Sequence, residues 1–292
     1  MSSFDQFLQD AWRDHAHDVK AVAARLRGAR DLMTEPAHVA PLSRLLVHVF
    51  GEHLGDWDGA QRELQRLGQH PLGLHDASAQ SALRVALAAL SCAQGKPLPQ
   101  AGLTPEDRVS ALCAGSAVAM GRNELHRASD LFEAALAQVQ LGIPGASAFH
   151  RPLAVAANNL ANALGEMVGR SPAQNALMLH AAQVSRVYWE KAGTWLEVER
   201  AEYMLAKSNL RAGQASQARP HAIACLSICQ ANQAPDFEMF FAHEMLATLA
   251  RALNQREDLE RELAKATAAF ARLSADDQAA CKGDLDALMV PR

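Results

Sequence analysis

Residues 205–218 read Leu205-Ala206-Lys207-Ser208-Asn209-Leu210-Arg211-Ala212-Gly213-Gln214-Ala215-Ser216-Gln217-Ala218. Two small residues, Ala206 and Ala218, stand twelve positions apart on either side of a glycine break. Small side chains at such slots let two antiparallel helices approach closely across a short turn. The pair returns as Ser116/Ala128, Ala161/Ala173 and Ala247/Leu259, with an earlier copy at His48/Ala60. Repetition of a helical hairpin predicts a stack of hairpins rather than a globule.

The remaining chain agrees with helices throughout. Of 292 residues, 49% are hydrophobic but only 5% aromatic, and Val and Ile form no alternating runs that would signal strands. Residues 4–33 predict one or two helices with Phe4, Phe7, Leu8, Trp12, Val19, Val22 and Leu26 toward the core. A clear hairpin follows over 42–72, turning at Gly55-Asp56-Trp57, and Asp76 to Ala93 reads as one helix without an obvious partner. Thr104-Pro105, Ser171-Pro172 and Thr194-Trp195-Leu196-Glu197 are helix starts, each opening on a hydroxyl side chain that can cap exposed amides. Breakers at Gly142-Ile143-Pro144-Gly145, Gly169, Gly193, Gly213 and Pro235 separate the helices, and Ser274 opens a last one.

Gly95-Lys96-Pro97-Leu98-Pro99-Gln100-Ala101-Gly102 cannot be a helix interior, because proline removes a donor and clashes with the preceding turn. It divides an irregular N-terminal region, 1–102, from an array over 103–292 that ends in a capping helix at 275–288. That last helix is expected to cap its own array, with docking on a second copy, a homodimer, as the alternative.

The net charge of −4, with both signs interspersed, argues against nucleic acid as a partner. No apolar stretch approaches the roughly 18–20 residues that span a bilayer, so no membrane partner is expected. Met1-Ser2-Ser3-Phe4-Asp5 lacks the basic start and apolar run of a signal peptide. Five cysteines at irregular spacing do not form a secreted disulfide framework. The expectation is a soluble cytoplasmic protein.

Leu160-Ala161, Leu205-Ala206 and Leu246-Ala247 on first helices, the Gly55-Asp56-Trp57 turn, and Ala60-x3-Leu64-x2-Leu67 and Ala128-x3-Phe132-x2-Ala135 on second helices resemble tetratricopeptide repeats. Asn158-Asn159-Leu160-Ala161 resembles the long-helix variants of kinesin light chains and bacterial peptide sensors and regulators. The slots at 48, 116, 161, 206 and 247 give gaps of 68, 45, 45 and 41. The family period is about 34, so the later helices are extended; gaps of about 40–47 also suit HEAT-type repeats. The resemblance implies an all-α, right-handed solenoid of antiparallel hairpins whose first helices line a concave groove.

By that resemblance the groove carries Asn158 and Asn162, then Arg200, Tyr203, Lys207 and Arg211, then Glu244 and Arg251. Asn158 and Asn162 share a helix face and can meet an extended peptide backbone. Arg200, Lys207 and Arg211 form a basic stripe suited to carboxylates. The implied function is a scaffold or adaptor binding another protein or peptide. The alternative is a ligand- or peptide-sensing regulator acting on a separate effector.

No catalytic constellation emerges, so an enzyme is not expected, nor a cofactor. His221, Cys225 and Cys229 are spaced four apart, but Cys225 occupies a packing slot and no fourth ligand is near, so core packing is expected and no metal site. His48, Glu52 and His53 lack His-Glu-x-x-His spacing, and His15 and His17 point to different sides of a helix. The twelve histidines read as scattered. Trp12, Trp57, Trp189 and Trp195 read as packing anchors or turn wedges, with a binding surface as the alternative for Trp189 and Trp195, which flank Gly193.

Overall fold

The computed structural model describes residues 3–99, 101–143 and 148–290. Among the described residues there are fifteen α-helices and no strand, and consecutive helices pack as antiparallel hairpins. The fold is an all-α solenoid. The expected break at Pro144-Gly145 and the Gln100 position of the expected linker lie outside the described residues. Contacts divide the chain into two compact units, Met1–Ala156 and Ala157–Arg292.

In the first unit, α1 (Ser3–Asp14) and α2 (Val19–Leu26) lead to α3 (Val39–Leu46). The backbone then loosens into a π-helical segment, Val47–Leu54, before α4 (Trp57–Gly68). Gly55 ends that segment at φ 62°, and the Asp56 carboxylate accepts from the Gly59 amide at 2.9 Å, so the expected turn forms as read. Pro71–Leu74 is a short helical turn, α5.

Next come α6 (Ala77–Ala93), α7 (Pro105–Gly121) and α8 (Leu125–Gln140). α6 packs on α3 and α4 on one side and on α7 on the other, so the helix expected to lack a partner has several. Residues 95–99 and 101–102 are non-helical, but they lie between two helices that pack together inside one core, and the division of the chain falls instead between Ala156 and Ala157. That core runs continuously from Phe4 through Leu45, Phe50, Leu64 and Leu90 to Val118. Trp12 departs from expectation: it is 43% exposed.

The second unit contains the end of α9 (His150–Glu166), then α10 (Pro172–Ala192), α11 (Trp195–Arg211), α12 (Ala215–Ala231), α13 (Asp236–Ala252), α14 (Arg256–Phe270) and α15 (Ala275–Met289). Each helix from α10 to α14 packs on the next, while α13 also touches α11 and α15. Alternate helices therefore form a row of their own, the arrangement a solenoid requires. Capping boxes close at Thr104/Asp107, Ser171/Gln174 and Thr194/Glu197. α15 seals the end of the unit with Cys281, Leu285 and Leu288 packed beside Phe240, Ala247, Ala266 and Ala269.

The small slots are where the helices meet. Ser116, Ala161, Ala206 and Ala247 are all fully buried, as are Ala60, Ala128 and Ala218. The Ser116 hydroxyl donates to the Ala128 carbonyl at 2.7 Å, bridging α7 and α8. Seven positions after four of the slots the chain turns through left-handed backbone, at Gly55, Asn123, Gly213 and Asn254. The next residue then donates back into the finished helix, as Gln214 does to Asn209 and Gln255 to Ala250, both at 2.8 Å. The pair Ala161/Ala173 breaks the pattern, because Ala173 is exposed. Here the turn is longer: the Arg170 guanidinium donates to the carbonyls of Leu164, Gly165 and Met167, satisfying the end of α9 before α10 begins.

Candidate functional site

The residues expected to line a groove fall on α9, α11 and α13 of the second unit, and the fold gives each a different surrounding. Two cross-helix bonds fix the register of α11 against α13: Arg200 to Glu238 at 2.7 Å and Tyr203 to Glu244 at 3.1 Å. Both partners advance along the chain together, so the two helices run parallel, as alternate members of a hairpin stack must. Arg211 reaches back to Glu166 at the end of α9, at 2.6 Å.

The basic stripe is thus largely paired within the protein. Arg200 has Glu238, Arg211 has Glu166, and Arg251 donates to the carbonyls of Ala287 and Leu288. Arg251 therefore caps the end of α15, satisfying carbonyls that have no partner inside that helix. Lys207 is the exception: its ammonium lies 5.6 Å from the Tyr203 ring centroid and forms no salt bridge among the described residues.

Beside Lys207 sits a cluster that the sequence reading only partly anticipated. Glu244 is 9% exposed and accepts from the Tyr203 hydroxyl and from Thr248 at 2.9 Å. Burial holds its carboxyl above the ordinary range, although the two hydroxyl bonds, and Lys207 more weakly, favour the charged form. Asp284 on α15 reinforces the upward push. Burial, with the neighbouring Glu244, likewise holds the Tyr203 phenol well above its usual value. Thr248 and Asp284 went unnamed in the sequence because their roles depend on which helix lies beside which. Asn158 is half-buried and donates to its neighbour Asn159 at 3.5 Å, while Asn162 is exposed.

Cys225 and Cys229 are fully buried, as core packing requires, but His221 turns away from them to Glu202 at 2.7 Å. Glu199 takes its place: the Cys225 thiol donates to Glu199 Oε1 at 2.8 Å, Cys229 lies close enough to favour its charged form, and Glu199 Oε2 has no well-formed hydrogen bond among the described residues. Burial pushes Glu199 up, and the Cys229 bond together with burial pushes Cys225 up. Both groups are thereby held toward their protonated forms. All five cysteines are free and buried.

No family model and no curated protein matches the chain. Among solved structures it is similar to BtubC (BKLC) from P. vanneervenii, with a TM-score of 0.54 and 13% identity over 100% of this chain and 95% of that one. At that identity the likeness is one of fold, the helical solenoid. No described helix is long and apolar enough to cross a membrane.

Proposed function

We propose that the second unit is a protein-interaction module that binds an extended peptide segment along the row formed by α9, α11 and α13, with an acidic group of the peptide at Lys207. The repeats are taken as tetratricopeptide-like, so that first helices carry the ligand. The observation that carries the reading is the contrast among the cations: Arg200, Arg211 and Arg251 are occupied by the protein's own carboxylates and carbonyls, and Lys207 is not.

Register supplies the rest of the surface. Glu166 meets Arg211, so one turn earlier on each helix Asn162 stands level with Lys207. A further turn earlier, Asn158 stands level with Tyr203. Asparagine amides can both donate to and accept from a peptide backbone, and an ammonium suits a carboxylate. The reading calls for no bond-making chemistry, only recognition.

Display of random peptides against the immobilised full chain tests it. Acidic peptides should be enriched, and Lys207→Glu should weaken a selected peptide about tenfold or more, with Asn162→Ala weakening it less, at unchanged melting temperature. Selection of no peptide, or equal binding by Lys207→Glu, overturns the reading. Lys207 is the position to change because charge reversal at Arg211 would also break its pair with Glu166.

A further inference from the structure

The first unit gathers three histidines, His48 and His53 from one segment and His15 from 33 residues before His48. His48 Nε2 lies 3.0 Å from His15 Nε2 and 3.0 Å from His53 Nε2. The three ligand-capable nitrogens all fall within 4.8 Å of one another. His15 comes from the turn after α1, and His48 and His53 from the π-helical segment.

The winding of that segment makes the cluster. In an α-helix of 3.6 residues per turn, side chains five apart stand on different sides. The i→i+5 winding of a π segment brings them close to one line, and such segments recur at functional sites. His48 and His53 are five apart and touch.

The second nitrogens fix which lone pairs face inward. His15 Nδ1 lies 2.6 Å from the Trp12 carbonyl, which can only accept, so His15 carries its proton there. His48 Nδ1 lies 2.7 Å from Glu52 Oε2 and donates to that carboxylate. On neutral rings, the Nε2 atoms of His15 and His48 are then both unprotonated, with lone pairs opposed at 3.0 Å. Two bare acceptors hold that distance only with a proton or a metal ion between them. Nitrogens that each sit about 2.0–2.1 Å from one ion, at near-right to tetrahedral angles, are about 3.0–3.4 Å apart.

The geometry points to a zinc-type divalent metal site formed by Nε2 of His15, His48 and His53. Glu52 and the Trp12 carbonyl form its outer shell, in the carboxylate–histidine–metal arrangement that orients ligands and raises their basicity. Imidazole ligands suit zinc and its first-row neighbours. Trp12 packs against the His48 ring with centroids 4.8 Å apart and shields one side, whereas His53 is exposed, so a remaining coordination position faces water. The ion would fasten the turn after α1 to the π segment.

Zinc titration of the metal-stripped full chain by calorimetry, joined to X-ray absorption of the loaded protein, tests the site. The expected result is one ion per chain in a shell of nitrogen and oxygen with imidazole scattering. His53→Ala, an exposed change that leaves the core intact, should weaken zinc about 100-fold or more. Glu52→Gln, which keeps all three ligands, should weaken it about 10–100-fold. Zinc should raise the melting temperature of the wild type and not of His53→Ala. Wild-type binding no tighter than that of the triple His15→Ala/His48→Ala/His53→Ala variant overturns the proposal, and means a shared proton rather than a metal holds the cluster. A sulfur shell also overturns it, because the ion would then sit at Cys225 and Cys229.

Discussion

The Tyr203 hydroxyl donates to Glu244 across 41 residues of sequence, and 41 is also the spacing between the small slots Ala206 and Ala247. Glu166 and Arg211 are 45 apart, the spacing of Ala161 and Ala206. In both pairs the repeat period is the register in which successive helices of the row meet, and Arg200 meets Glu238, 38 residues on, about one helical turn off that register.

Glu244 should make stability depend on pH. Its carboxyl is raised in the folded state by burial, so the stability it contributes is present below its unfolded value of about 4.5 and lost as pH rises through the folded value. Glu244→Gln keeps partners for both hydroxyls and removes that loss. Urea unfolding between pH 5 and pH 8 should show a shallower decline for the variant than for the wild type. At pH 8 the variant should be equal or up to about 1 kcal/mol more stable. Glu199, raised with the same sign, leaves part of the slope in place.

Ala206 and Ala173 both belong to small-residue pairs, yet only Ala206 is buried. Ala206→Leu should cost about 1–3 kcal/mol by forcing α11 away from α12. Ala173→Leu should stay within about 0.5 kcal/mol. Thermal or urea melts of the two variants separate packing slots from coincidences of spacing.

Arg251 holds the end of α15, under which Cys281 lies buried. Arg251→Ala should loosen that helix first. Thiol labelling of Cys281 and amide exchange over 275–289 should both accelerate, with Cys225 and Cys229 in the interior staying protected. Unchanged labelling would show that the apolar contacts of Leu285 and Leu288 suffice without the cap.

Local chemistry was legible from the chain alone. Thr104, Ser171 and Thr194 start helices where a hydroxyl can cap them, and Gly55 and Gly213 turn where left-handed backbone is needed. The buried slots at Ser116, Ala161, Ala206 and Ala247 followed from their repetition. These signals act over one helix or one hairpin, so spacing reveals them.

What lies between repeats was not legible in this way. The stripe of Arg200, Lys207 and Arg211 reads as uniform until Glu238 and Glu166, tens of residues away, claim two of its members. Asp284 influences Glu244 only because α15 folds back beside α13. His15 meets His48 across 33 residues, and His48 meets His53 only because the helix between them widens to π winding. Propensity, capping and small-residue spacing are local properties, so the chain alone specifies its helices, its turns and the period of its stacking. Tertiary structure alone decided which charges remain free and which histidines converge, because both depend on the side chains that a neighbouring helix brings into reach.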